Sequence, residues 1–168
     1  MQTGFAVLEA PFGSVRVLME EGKLVRVVVI DQEWEDVFMN WPGTLQEDEL
    51  MCKKAVQEIS EYLRGTRKIF SLPLQFHGTA FQEKVWRAMQ SIPYGLTRGY
   101  GEIAQLIGIP RGARAVGQAS RLNPLPLVIP CHRVVGCRGE LVGYGGNHTG
   151  IKAWLLDHER TVHEKEGH

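Results

Sequence analysis

Several things are missing from this chain of 168 residues, and each absence narrows what it can be. No apolar run approaches the roughly 20 residues that cross a bilayer, so no membrane span and no membrane partner are expected. The opening residues, Met1-Gln2-Thr3-Gly4-Phe5, lack the basic stretch followed by an apolar one that marks a secretory leader. The three cysteines, Cys52, Cys131 and Cys137, have no framework spacing, which points to reduced thiols in a cytoplasmic protein. Residues 1–40 contain neither Cys nor His, and Cys131, His132, Cys137 and His148 lack the paired short spacings of a structural zinc site. Neither a metal nor a cofactor is therefore expected. Repeats and low-complexity segments are absent, and so is net charge: 19 Lys/Arg balance 19 Asp/Glu.

That balance hides an uneven distribution. Residues 1–70 carry 8 Lys/Arg against 12 Asp/Glu. Residues 84–138 carry Lys84, Arg87, Arg98, Arg111, Arg114, Arg121, Arg133 and Arg138 against the single acid Glu102. A basic middle of this kind is what a polyanion-binding surface requires, although a chance excess of solvated arginines has the same composition.

The patterning predicts an α+β protein. Residues 5–9, 15–19 and 24–30 are apolar-rich and β-branched, separated by Pro11-Phe12-Gly13 and Glu20-Glu21-Gly22, which reads as an antiparallel meander. Thr44-Leu45-Gln46-Glu47 has capping-box form, and Met51, Ala55, Ile59, Tyr62 and Leu63 follow at helical spacing up to Gly65. Residues 1–72 are thus expected to form a small domain, a three-stranded sheet plus a helix, with Cys52 as a packed small hydrophobe in that helix. Residues 73–162 read as a mostly helical domain, followed by a polar, disordered tail over 163–168. Within the second domain Thr79-Ala80-Phe81-Gln82 is a capping box for a helix that Pro93-Tyr94-Gly95 stops. A short helix over 101–107 ends at Gly108, and Pro110 starts another, a pairing that suggests a helix-turn-helix. Thr149 caps a last helix carrying Ile151, Trp154, Leu155 and His158 on one face.

The helix expected from Pro110 is unusual. Arg111, Arg114, Gln118 and Arg121 share one face, while Gly112, Ala113, Ala115, Gly117, Ala119 and Ser120 leave much of the remaining surface nearly flat. Glycines in a helix cost roughly 1 kcal/mol each, so close approach of another surface is the better explanation for them. Small residues beside long cations suit a nucleic-acid backbone, and a DNA contact is favoured over packing against a neighbouring helix.

Three prolines in residues 123–130 force an extended path into Pro130-Cys131-His132-Arg133-Val134. A thiol becomes a good nucleophile beside a cation or an imidazole that takes its proton, and here His132 adjoins Cys131 and Arg133 follows. A carboxylate orienting the imidazole completes a nucleophile–base–orienter relay, for which Asp157 and Glu159 are both candidates. Cys-His adjacency alone is weak evidence, because neighbouring side chains often point apart. Cys137 reads as a bystander.

Taken together, the residues from about Thr79 through Glu159 resemble one family, the O6-alkylguanine-DNA alkyltransferases, or methylated-DNA–protein-cysteine methyltransferases. The resemblance rests on Phe81-Gln82-x-x-Val85-Trp86, Ile92-Pro93-Tyr94-Gly95, Tyr100-Gly101-x-Ile103-Ala104, Ala113-Arg114-Ala115-Val116-Gly117, Asn123-Pro124, Ile129-Pro130-Cys131-His132-Arg133-Val134, Gly143-Tyr144-x-Gly146 and Lys152-x-x-Leu155-Leu156-x-x-Glu159. The first 70 residues are similar only in kind. Gly99 stands where many members have serine, Gly145 is a variable position, and the loop over 146–150 varies in length.

The resemblance implies direct-reversal DNA repair. An alkyl group passes irreversibly, in a single turnover, from O6-alkylguanine, and from O4-alkylthymine, in double-stranded DNA to Cys131. His132 would be the base, acting through water, with Glu159 selected over Asp157 as its orienter and Asn123 supporting the active-site turn. Arg114 would replace the flipped-out nucleotide from a recognition helix in the minor groove, with Arg111, Gly112, Ala113, Ala115, Gly117 and Arg121 also on DNA. Tyr100 would contact the target base and crowd its phosphate. Pro126 and Tyr144 would line the base pocket. The carbonyls of Cys131 and Val134 would accept from the guanine amine, and the backbone near Tyr144, Gly145 and Gly146 would face the alkylated oxygen. The protein would be a monomer in solution. A non-enzymatic lesion-binding protein and a helix-turn-helix regulator with an incidental Cys-His pair are the alternatives. Cys131 itself speaks against the former.

Overall fold

The computed structural model describes residues 2–141 and 149–166. The chain divides into two compact units, the first ending at Phe76 and the second beginning at His77.

In the first unit, β1 (Gln2–Ala10), β2 (Gly13–Glu20) and β3 (Lys23–Val28) form the expected antiparallel meander. The β2–β3 turn needs two left-handed residues and has them in Glu21 (φ 50°) and Gly22 (φ 79°), the backbone that suits the twist of a tight hairpin. The sheet has four strands, not three: β4 (Thr44–Glu47) pairs parallel to β1, giving the order β3-β2-β1-β4. The capping box read at Thr44 is therefore a strand, because hydrogen bonding to the free edge of β1 outweighs a local helix-start signal. Asp48 Oδ1 accepts from the Met51 N–H at 2.9 Å in the turn that follows, and the next helix starts beyond it at Lys53 with no side-chain cap.

Two helices accompany the sheet where one was expected. The unanticipated α1 (Asp31–Asn40) buries no residue fully, and its Trp34 and Phe38 cluster with Phe5. The anticipated α2 (Lys53–Leu63) buries Ala55, Ile59 and Tyr62. Cys52 sits just before α2 rather than inside it. Its thiol donates to the Gly4 carbonyl at 3.3 Å, and burial pushes it up to about 11, leaving it inert at neutral pH. The unit continues past the expected boundary at residue 72 because Leu24 of β3 bonds Pro73 O and Gln75 N.

The second unit opens with α3 (Ala80–Gln90), which starts where its capping box predicts: Thr79 Oγ1 accepts from Gln82 N at 3.1 Å, and Gln82 Oε1 from Thr79 N at 2.9 Å. It turns Val85, Trp86 and Met89 inward. After β5 (Arg98–Gly99) come α4 (Tyr100–Leu106) and α5 (Ala113–Arg121), joined by a turn through Gly108 at φ 86°. The second of these helices starts three residues later than expected. Pro110 and Arg111 lie in the turn, where Ile109 N bonds Ala104 O and Gly112 N bonds Ile109 O, so Gly112 caps α5 instead of belonging to it. Trp86 Nε1 donates to Ala119 O at 2.9 Å and pins α3 to α5.

One 3-10 turn (Cys131–Arg133) leads into β6 (Val134–Val135), which pairs parallel with β5. The last helix, α6 (Thr149–Glu166), runs through 163–166, where a disordered tail was expected. His163 and Lys165 in its final turn suit the negative end of the helix dipole and extend it. Among the described residues no helix is long and apolar enough to cross a membrane.

Candidate active site

Residues 123–130 are held by a small set of bonds. Asn123 is buried; its Nδ2 donates to Ile129 O at 2.9 Å, and its Oδ1 accepts from Leu125 N at 2.9 Å. Ile129 N closes onto Leu125 O at 2.8 Å. Leu127 adopts a left-handed backbone, φ 74°, costing on the order of 1 kcal/mol, and its own burial holds it there. Backbone strain in a side-chain-bearing residue four positions before Cys131 marks a path that the surroundings over-determine. Cys131 emerges at the start of the 3-10 turn, 5% exposed.

His132, Arg133 and Glu159 form one buried cluster. His132 Nε2 lies 2.6 Å from Glu159 Oε2. Arg133 forks onto the same carboxylate, Nε to Oε1 at 2.8 Å and Nη2 to Oε2 at 3.0 Å, while Gly95 N donates to Oε1 at 3.2 Å. All four acceptor positions of the carboxylate are thereby filled. Burial works to raise the Glu159 carboxyl, but the bonds and charges of His132 and Arg133 outweigh it and hold the group well below the usual carboxylate range. The imidazole is pushed down, chiefly by burial, against the pull of Glu159. Asp157, the other candidate orienter, is exposed and bonds Arg160 instead.

The sequence expectation that Arg133 is the cation beside the thiol does not hold, since its fork belongs to Glu159. The cation is Lys152, which in the sequence figures only as the first residue of the Lys152-x-x-Leu155-Leu156-x-x-Glu159 segment. Lys152 is 1% exposed, and its Nζ donates to the Tyr100 hydroxyl at 3.2 Å. Burial draws the ammonium down to about 8, while the charge of Cys131 opposes that shift. Burial raises the Cys131 thiol, opposed by a bond from Asn123 and by the charge of Lys152. The Tyr100 phenol is pushed up to about 12, mainly by burial and then by Cys131, so it stays protonated as a donor. A lysine in a helical pattern carries no signal for this role. Its partner stands 52 residues earlier.

A groove of about 550 Å³ lies along α5, lined by Tyr100, Gly101, Ala113, Arg114, Gly117, Gln118, Arg121 and Cys137. It gathers five of the expected DNA-contact residues: Tyr100, Ala113, Arg114, Gly117 and Arg121. Gly112 caps the helix, Ala115 is exposed on it, and Arg111 is exposed in the preceding turn, outside the groove lining. Pro126 is half-buried and Val134 fully buried. Tyr144, Gly145 and Gly146 lie outside the described residues. Among the described residues no cluster of three His, Cys, Asp or Glu is placed to hold a metal ion.

The family model described as the 6-O-methylguanine DNA methyltransferase DNA-binding domain matches residues 80–161, and that of the same enzyme's ribonuclease-like domain matches residues 5–76. The constitutive methylated-DNA–protein-cysteine methyltransferase of Bacillus subtilis is 42% identical over 166 residues, covering 96% of this chain and 98% of its own length. The chain belongs to the methylated-DNA–protein-cysteine methyltransferases. Among solved structures, the O6-methylguanine methyltransferase of Mycobacterium tuberculosis superposes on this methyltransferase with a TM-score of 0.86 at 37% identity, covering 95% of this chain and 94% of that one. The same organism's protein in complex with DNA gives 0.84 at 34% identity, covering 96% and 94%. The two family matches fall one in each compact unit of the methyltransferase, and its α+β architecture is that of these relatives.

Proposed function

We propose that this methyltransferase reverses DNA alkylation by taking an alkyl group from O6 of guanine, and from O4 of thymine, onto Cys131, once per molecule. The observation that carries the reading is the buried Cys131-His132-Glu159 arrangement, with His132 Nε2 held 2.6 Å from the carboxylate. With Nε2 committed to an ionised Glu159, Nδ1 is the nitrogen that takes the thiol proton, through an intervening water. The thiolate, facing the Lys152 ammonium, then attacks the alkyl carbon in line. The C–S bond forms as the C–O bond breaks, and the base leaves as an anion stabilised by donors such as the Tyr100 hydroxyl. A thioether is a poor leaving group, and among the described residues none nearby is equipped to remove it, so the reaction ends there. A thiol placed in this way is also what a non-enzymatic lesion binder has no use for.

An alkylated oxygen inside the base stack is out of reach of a buried thiol, so the nucleotide must leave the duplex, at a cost of a few kcal/mol. The groove along α5 suits that task. Its small residues, Ala113 and Gly117, allow close backbone approach, Arg121 meets phosphate, and Arg114 fills the vacated place in the stack. Asn123 holds the turn that presents Cys131. A monomer acting on double-stranded DNA is sufficient for every step.

The test is direct. The protein is incubated with a duplex oligonucleotide containing O6-methylguanine, and its peptides are mapped by mass spectrometry. One methyl on the peptide containing Cys131, with the lesion restored to guanine, is the expected result. An unmodified Cys131 beside an unchanged lesion would end the proposal.

A further inference from the structure

The reaction just described uses Glu159 to orient His132, but Glu159 has a second buried partner that the relay does not use. Arg133 is 6% exposed, and each nitrogen of its guanidinium makes a bond: Nε and Nη2 grip the two Glu159 oxygens, and Nη1 donates to Ile92 O at 2.7 Å. Its plane lies over the Tyr94 ring, 5.4 Å from the centroid. We infer that Arg133 is a positioning residue of the relay: its fork aims Glu159 Oε2 at His132, and its permanent charge lets the imidazole rest neutral.

Charge accounting supports this. A buried carboxylate with no other counter-charge would hold its histidine as the imidazolium, and an imidazolium cannot take the thiol proton. Here Glu159 is already neutralised by Arg133, so a proton on His132 would add net positive charge to a closed site that also contains Lys152. Among the described residues, the charged groups that act on His132 are Arg133 from its own turn and Lys152 and Glu159 from α6, while Tyr94, from the turn after α3, meets Arg133 instead. Arg133 and Lys152 disfavour the imidazolium and Glu159 favours it. Among the described residues, Arg133 is the one that both opposes the charge and touches the carboxylate. The bond to Ile92 O and the Gly95 N–H on Oε1 tie this fork to the 92–95 backbone, so the carboxylate plane cannot rotate away from the ring. A lysine has the charge but not the fork.

The inference rests on the alkyl-transfer reading, and the experiment separates the two. Single-turnover methyl transfer from an O6-methylguanine duplex is followed against pH for the wild type, Arg133→Gln and Arg133→Lys. Removing the charge favours the imidazolium, so the acid limb for Arg133→Gln moves up by about one pH unit, and its deficit grows as pH falls from 8.5 through the limb, approaching about tenfold on the acid side. Arg133→Lys keeps the limb in place and loses rate evenly across pH. In the wild type, ¹⁵N NMR of the imidazole shows a neutral His132 carrying its proton on Nε2 at pH 7, a readout that needs no variant to fold. An unmoved limb in Arg133→Gln, a limb moved equally by Arg133→Lys, or a doubly protonated wild-type imidazole at pH 7 overturns the inference. A wild type that transfers no methyl at any pH overturns the alkyl-transfer reading instead, and the NMR result still decides the role of Arg133.

Discussion

Glu159→Gln removes one charge and changes almost no volume, so its consequences follow from the cluster alone. The wild-type carboxylate accepts four bonds: from Arg133 twice, from His132 and from Gly95 N. A glutamine carries two N–H donors on one side of its amide, so either orientation turns a donor toward a donor. The guanidinium of Arg133 is left buried without its counter-charge, a loss of about 3–5 kcal/mol. Urea denaturation at pH 7 measures that gap. The gap also has a pH signature. The folded carboxyl lies below its ordinary value of 4.5, so its contribution is complete above that pH and is lost as pH falls through it toward the folded value. Glutamine does not titrate, so the wild type converges on the variant in acid. Methyl transfer slows by about 100-fold or more with the base disoriented. A variant within about 1 kcal/mol of wild type at pH 7, or a gap unchanged down to pH 3, would refute the reasoning.

Four further outcomes follow from the same contacts. Arg114→Ala weakens repair of duplex DNA but leaves reaction with a small free-base O6-alkylguanine nearly intact; equal loss on both would place Arg114 in the fold rather than on DNA. Asn123→Ala orphans the Leu125 N–H and the Ile129 carbonyl, each costing about 1–3 kcal/mol, and thiol alkylation slows with it; an unchanged denaturation midpoint would contradict this. Lys152 keeps its proton only to about pH 8 in the fold against 10.5 ordinarily, so the unfolded chain binds more protons between those values and stability rises with pH there. Lys152→Met flattens that rise and slows alkylation of Cys131 by iodoacetamide; a profile matching wild type would count against the buried ammonium. Gly99→Ser adds a capping hydroxyl to α4, where Gly99 N already meets Glu102 Oε1 at 3.0 Å and an added Cβ has room, so stability rises by a few tenths of a kcal/mol. A drop in melting temperature would mean the turn is tighter than it looks.

Where signals were local, the sequence was readable. Thr79 and Gln82 place the start of α3 because both halves of the box are made by neighbouring residues, and the meander follows from alternation broken by turn residues. Where a distant partner decides, reading failed. Thr44 and Glu47 look like a helix start, yet they lie along the edge of β1 some forty residues earlier. In α1, Trp34, Val37 and Phe38 do stand at helical spacing, but the stripe is short and its aromatics find their partner in the distant Phe5, so the sequence alone does not single it out as a helix. The site divides in the same way. Cys131 and His132 stand in a contiguous Pro-Cys-His-Arg-Val segment that carries the family resemblance, whereas the fork of Arg133 closes on Glu159, 26 positions later, and Lys152 meets Tyr100 across 52. Periodicity treats both cations as solvated surface, and only folding makes them buried.

The claim on which everything else depends is that Cys131 is the acceptor and that it acts once. Titrating the protein with excess O6-methylguanine duplex and weighing both partners tests it most directly. Lesion conversion should stop at one per protein molecule, the intact protein should gain one methyl, and Cys131→Ser should gain none. Conversion that continues past one equivalent, or a methyl that still appears on the Cys131→Ser chain, would contradict it.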